Sequence, residues 1–331
     1  MATTIVVGKN ISQSGFGLSP LCHRECPVPE EQSLRILKAA LTAGVYVWNA
    51  SEFYGKPEYN TIHLMNLYFT KYPEDADKVV LMVKGGMFGI HQIDCSAAGM
   101  RRAVDSANKI LDGKKSIDVF GPARVDPEVP IEDTIRALAE LKKEGKIGGI
   151  QLSEVSANTI ERAAEVAQID IVEEEVSLWA TEIFHNGVAQ TCAKLGIPVV
   201  AHTPLGSGML TGKFKSRDDM APEDFHRFFP RFQEENFEKN LELVISIEAL
   251  ATSKGCTAAQ LALSWIKTQS RKDNMPFLIT IPGSTSESRT MENATQIELS
   301  EEDMKELDHI LANFTPAGSR FPEAGMKYSE F

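Results

Sequence analysis

The chain has 331 residues, 43% hydrophobic and 24% charged, an ordinary globular composition with ample apolar material for a large core. Its 46 acidic residues outnumber 34 basic ones, for a net charge of −12, which argues against non-specific binding to nucleic acid or an anionic membrane. No apolar run reaches transmembrane length, the amino terminus MATTIVVGKNISQS lacks the regions of a signal peptide, and five scattered cysteines suit reduced thiols; the expected location is cytoplasmic, or also nuclear.

In chain order, GFGLSP at 15–20 offers a first strand, followed by CHREC at 22–26. Two cysteines and a histidine there lack a fourth ligand and good spacing, so a loop is expected and no metal site. VPEEQSLRILKAALTAG reads as a helix: acids in the first turn, Leu34, Leu37 and Leu41 on one face, Gly44 at the end. Short β-rich runs follow at 45–49, 79–84, 117–120, 149–152, 169–176, 198–202 and 277–281, alternating with helical patterns. VPIEDTIRALAELKKEGKIGG repeats the first helix's design, with Lys142 and Lys143 near its carboxyl end, where cations complement the helix dipole. Residues 207–240 break the rhythm as a long loop, a length that usually serves function. From about residue 314 an irregular tail carries Phe314, Phe321, Tyr328 and Phe331.

Strands alternating with helices mean parallel βαβ units, and eight of them close into a (β/α)8 TIM barrel spanning the whole chain as one domain. The rival, an open doubly wound sheet, would place G-x-G-x-x-G after the first strand; here Gly15-Phe16-Gly17 continues to Pro20. GSGMLTGKF at 206–214 likewise misses the P-loop pattern. Both misses favour the barrel.

In a barrel, chemistry belongs to the carboxyl ends of the strands. Those ends carry Asn49 and Tyr54, Lys84, Ser153 and Glu154, Glu173, and His202 with Thr203. Lys84 follows an apolar run, so it either snorkels to the surface or has a buried partner. Tyr54 and Lys84 suggest a pair, because a nearby ammonium favours phenolate over phenol and makes tyrosine a usable proton donor to a carbonyl. Such a donor needs a hydride source, which a nicotinamide supplies.

The stretches WNASEFYG, VVLMVKGG, EGKIGGIQLSE, VVAHTPLGSGMLTGKF and IPGSTSESRTMEN resemble the landmarks of the aldo-keto reductase superfamily over most of the chain. The resemblance implies a barrel that binds NADPH extended and transfers the 4-pro-R hydride to a small-molecule aldehyde. By position, Tyr54 resembles the catalytic acid and Lys84 its activating partner. Ser153, Glu154 and Glu173 fall at carboxamide positions, His202 where a ring stacks on the nicotinamide, Leu205 and Ser207 on the pyrophosphate side, and Thr203 within the same cofactor site. Ser284, Thr285 and Arg289 match the 2′-phosphate pocket, where a guanidinium fork suits a phosphate dianion. Glu292 and Asn293 match adenine contacts. Ala123, Arg124 and Trp48 are expected at the substrate pocket.

Four positions depart from the family pattern. Asn49 replaces an aspartate and Ala123 a histidine of the usual tetrad, while Glu154 and Glu173 stand where Asn and Gln usually hold the carboxamide. Asn49 can hydrogen-bond Lys84 but cannot neutralise it, so an unneutralised ammonium is expected. One consequence is a degraded catalyst, an NADPH-binding regulatory subunit resembling potassium-channel β-subunits. Another is an enzyme whose substrate does part of the work. SEFYG, PARVDP and EVSLW are most similar to the fungal pyridoxal reductases of this superfamily. Pyridoxal carries a phenolic oxygen ortho to its aldehyde and can orient its own carbonyl, which reduces the need for a histidine at 123. A generalist aldehyde or ketone reductase is the remaining alternative.

Overall fold

The computed structural model describes residues 2–23, 26–88, 92–222 and 224–330; the centre of CHREC and Phe331 of the tail lie outside them. Eight strands run parallel: β1 (Gly15–Gly17), β2 (Val47–Ser51), β3 (Val80–Gly85), β4 (Val119–Pro122), β5 (Gly149–Ser153), β6 (Ile171–Glu175), β7 (Val199–His202) and β8 (Leu278–Thr280). Each hydrogen-bonds its neighbour in chain order. A parallel bridge between Ser14 and Thr280 brings β1 back to β8, with the Thr280 N–H donating to the Gln13 carbonyl at 3.0 Å. The sheet therefore closes into the predicted (β/α)8 barrel, and the open-sheet alternative falls. Glycine is needed at this seam: a Cβ on Gly17 would stand 2.8 Å from the Ile281 carbonyl oxygen.

The strands have the two-residue alternation of a barrel wall. Val47, Val80, Met82, Val119, Ile171, Val200 and Ile279 pack inside the barrel, while Trp48, Leu81, Val83 and Phe120 pack in the layer under the helices. Those helices are α1 (Glu30–Thr42), α2 (Thr61–Lys71), α3 (Ala97–Leu111), α4 (Ile131–Lys143), α5 (Ala157–Val166), α6 (Val188–Leu195), α7 (Glu234–Ser253), α8 (Ala258–Gln269), α9 (Glu287–Ala294) and α10 (Glu301–Ala312). In α1, Leu34, Leu37 and Leu41 are all buried, as their spacing predicts. The long loop is shorter than expected, because α7 already begins at Glu234; before it the chain makes short 3₁₀ turns.

An antiparallel hairpin, Thr3–Val6 with Lys9–Ser12, was not foreseen. Val6 and Ile11 join the cluster inside the barrel, and the Lys9 ammonium holds Asp118 at 2.8 Å and the Val79 carbonyl at 2.9 Å. The hairpin thus plugs the end opposite the active-site mouth. Its turn places Val7 and Gly8 at φ 44° and 79°. A β-branched residue is a poor occupant of that conformation, so the usual Asn-Gly signal is missing.

The tail crosses the mouth. Arg320 pairs with Glu154 at 2.7 Å and with Glu175 at 3.3 Å. Ten residues on, the Glu330 carboxylate accepts from Ser156 N at 3.1 Å and from the Thr159 hydroxyl at 2.6 Å, which caps the first turn of α5. Among the described residues, the tail contains one short helical turn, Glu323–Met326, and no longer helix.

Lys267, on α8, is buried at the seam, where its ammonium donates to the Ser14 hydroxyl at 2.8 Å. Burial pulls its pKa from the usual 10.5 to about 8. Between these values the unfolded chain holds a proton that the folded chain has released, so stability rises with pH across that window. A shift of this size corresponds to about 3 kcal/mol. Lys267→Met is expected to lack this alkaline gain: in urea melts, its stability relative to the parent should fall by about that amount between the two values. A constant difference would contradict the assignment.

Candidate active site

The loop after β2 presents Tyr54. Its N–H donates to the Ser51 carbonyl at 3.3 Å and its carbonyl accepts from Thr61 N at 3.0 Å. Asn60 pins the far side of the loop, capping α2 through Ile62 N and His63 N and donating to the Glu52 carbonyl at 3.1 Å. The next residue, Gly55, has φ 125°, and a Cβ there would stand 2.6 Å from the Tyr59 carbonyl oxygen. Only glycine fits the chain reversal that aims the phenol inward.

Lys84 points into the barrel from β3 and is 3% exposed, so the buried-partner alternative holds over snorkelling. Its ammonium lies 5.5 Å from the Tyr54 ring centroid. The partner is Glu173, whose Oε1 forms a short ion pair with Lys84 Nζ. The other oxygen, Oε2, accepts from Asn49 Nδ2 at 2.7 Å. Burial pulls the Lys84 pKa down, but the Glu173 charge and Tyr54 more than offset it and hold the ammonium above its usual range. The expectation of an unneutralised ammonium is therefore wrong: the carboxylate absent at position 49 comes from β6, on the opposite wall.

Glu154, also expected beside the carboxamide, is engaged by protein groups. Its Oε1 lies 2.6 Å from His202 Nε2 and accepts from Glu175 N at 3.0 Å, while Oε2 takes Arg320. Burial pushes its carboxyl up, but the His202 bond and the Arg124 and Arg320 charges hold it well below the usual range. His202 thus has its ring edge tied between Glu154 and the Thr203 hydroxyl, 3.0 Å from Nδ1. Ser153 differs: its Oγ is buried and has no hydrogen-bond partner among the described residues. A buried hydroxyl left open at the end of a barrel strand fits a ligand amide.

Further along, the loop after β7 holds Thr203, Gly206, Ser207 and Gly208 at φ 49°, 56°, 53° and 89°. Two of these are not glycine, and Glu154 at φ 55° is a third such residue at the mouth. Strained backbone of this kind concentrates at ligand-binding sites. Leu205 lies half-buried against the core. Beyond β8, the Ser284 hydroxyl accepts from Ser286 N at 3.1 Å, and Ser286 caps α9. Arg289, one turn into that helix, is exposed, and no carboxylate pairs with it among the described residues. The Thr285 carbonyl anchors Gln32 at 2.9 Å. Glu292 accepts from the Thr257 hydroxyl at 2.7 Å, which ties it to the start of α8, and Asn293 lines a narrow cleft with Ser14 and Phe16.

At the substrate side, Ala123 is buried just past β4, and Arg124 donates to the Ala123 carbonyl at 2.6 Å with its guanidinium 5.8 Å from the Phe321 ring centroid. Trp48 does not belong there. It faces outward, fully buried against Tyr68 and Phe69, because it alternates with inward Asn49. Two residues at the mouth are not among those expected at the site. Arg320 arrives from the tail, where no periodicity points to it. His23, within CHREC, sets its ring centroid 6.0 Å from that of Tyr54. In the same cluster Cys22 is buried, with its thiol pushed up to about 12 by burial, whereas Cys26 is exposed.

The family model described as "Aldo/keto reductase family" matches residues 15–312. Among curated proteins, the chain is 36% identical to "Probable pyridoxal reductase 2" of Schizosaccharomyces pombe, over 96% of each chain. It is 33% identical to "Putative pyridoxal reductase" of Saccharomyces cerevisiae, over 94% of this chain and 96% of that one. Among solved structures, a glycerol dehydrogenase from Gluconobacter oxydans superposes with a TM-score of 0.82 at 24% identity, over 96% of this chain and 98% of the other, a likeness of fold. The family match and the curated relatives extend over nearly the whole barrel, and the chain belongs to the aldo/keto reductase family.

Proposed function

We propose that this aldo/keto reductase is an NADPH-dependent pyridoxal reductase, which converts pyridoxal to pyridoxine. The reading is supported above all by the Tyr54–Lys84 pair, a phenol held at the barrel mouth over a buried ammonium. The names of the two yeast relatives favour pyridoxal as substrate. A charged, neutralised Lys84 favours a working enzyme over a binding subunit. Among the described residues no helix is long and apolar enough to cross a membrane, and a cytoplasmic location belongs to the same reading.

Ser153 would hold the carboxamide, and the backbone of the Thr203–Leu205–Ser207 loop the pyrophosphate. Ser284, Thr285 and Arg289 would hold the 2′-phosphate, with Asn293 and Glu292 at the adenine. Bound there, NADPH supplies the hydride. Tyr54 gives its hydroxyl proton to the carbonyl oxygen, and the Lys84 ammonium stabilises the phenolate left behind. Ala123 leaves room for the pyridine ring, and the substrate's own ortho phenolic oxygen orients its carbonyl. The strapped tail limits water at the mouth.

In a panel of aldehydes and ketones with NADPH and NADH side by side, pyridoxal with NADPH is expected to give the highest kcat/KM; broad, equal turnover would favour the generalist reductase. Tyr54→Phe should lower turnover by about 100-fold or more while leaving NADPH affinity, read by fluorescence titration, nearly intact. Activity that survives the change would remove Tyr54 as proton donor. Ala123→His is expected to slow pyridoxal reduction more than reduction of a simple aromatic aldehyde. If both rates rise together, the self-orienting substrate is wrong.

A further inference from the structure

We infer that Glu173 is the positioning residue of the proton-donor pair, supplying the counter-charge of Lys84 from across the barrel, and that Asn49 orients it. The inference rests on the reading of Tyr54 and Lys84 as that pair. Asn49, Lys84 and Glu173 all occupy inward positions, two residues beyond Val47, Met82 and Ile171 of the interior cluster. β2 and β6 stand four strands apart in an eight-stranded ring, so their inward side chains meet across it. All three side chains are almost completely buried. Among the described residues, Glu173 supplies the one carboxylate that pairs with Lys84.

Its two oxygens have separate tasks. One binds the ammonium, and the other accepts the Asn49 amide at 2.7 Å. An amide that donates to a carboxylate fixes its rotation without adding charge. The site therefore contains one carboxylate, one amide and one ammonium. Aspartate at 49 with glutamine at 173 would have the same inventory, with acid and amide exchanged between the two walls. The exchange turns Glu173 toward Lys84 and Asn49, while Ser153, whose Oγ is open, is the group available to the nicotinamide carboxamide.

The exchange can be reversed. Glu173→Gln is expected to lower kcat about 100-fold with little change in KM for the aldehyde, and to lower Tm, because a buried ammonium loses its anion. Adding Asn49→Asp should return the charge from the other wall and recover kcat to within about tenfold, together with Tm and the pH profile of kcat. Conserved kcat in Glu173→Gln would overturn the inference. So would a double variant that recovers Tm but stays as slow as the single one, since that is the behaviour of a structural ion pair alone. If Glu173→Gln does not fold, a folded and active double variant supports the exchange, and an unfolded one overturns it. Should the parent enzyme reduce no carbonyl with NADPH, the proposed function fails by itself. The counter-charge is then judged on Tm: recovery in the double variant supports it, and no recovery overturns it.

Discussion

An ammonium in a wall of valine and methionine gives up its proton more readily unless an anion stands beside it, because desolvation favours the neutral amine. Lys84 is in that position, and the carboxylate that keeps it charged is reached only by closing the barrel. Closure depends in turn on the glycine seam between β1 and β8, on alternation along every strand, and on the hairpin that plugs the far end. The chemistry at the mouth thus rests on an ion pair between residues 89 positions apart in the chain.

Charge at the mouth is divided in two. Deep in the barrel, Lys84, Glu173 and Asn49 form one neutral unit beside Tyr54. At the rim, Glu154 and Glu175 meet Arg320 of the tail and His202 of β7. Burial raises the Glu175 carboxyl despite Arg320, whereas Glu154, with His202 and Arg320 both in contact, is held low. The rim carboxylates thereby serve the strap, and the open Ser153 hydroxyl is the group left at the end of β5 for an amide.

Most of the fold was legible because local signals suffice for it. Acid-first helices ending at Gly44 and Gly145, and apolar runs of barrel length, placed the strands to within a few residues. The hairpin escaped because its turn carries Val7, a residue that gives no turn signal. Trp48 was expected at the substrate pocket, but period two sends it and the inward Asn49 to opposite faces of the wall. Asn49, read from its own position, looked like a lost charge. Its meaning depended on Glu173, and no local pattern links two strands across a barrel. Arg320 has the same character: its partners lie far back in the chain, and the irregular tail offers no period to predict its direction.

The ionisation of Lys84 can be read directly by NMR on lysine labelled at Cε and Nζ, with its signal assigned by loss in Lys84→Arg. This signal is expected to remain that of an ammonium to the alkaline limit of the folded protein, since Glu173 holds the group above its usual range against burial. A Lys84 signal that titrates below the free-lysine value of about 10.4 would contradict it.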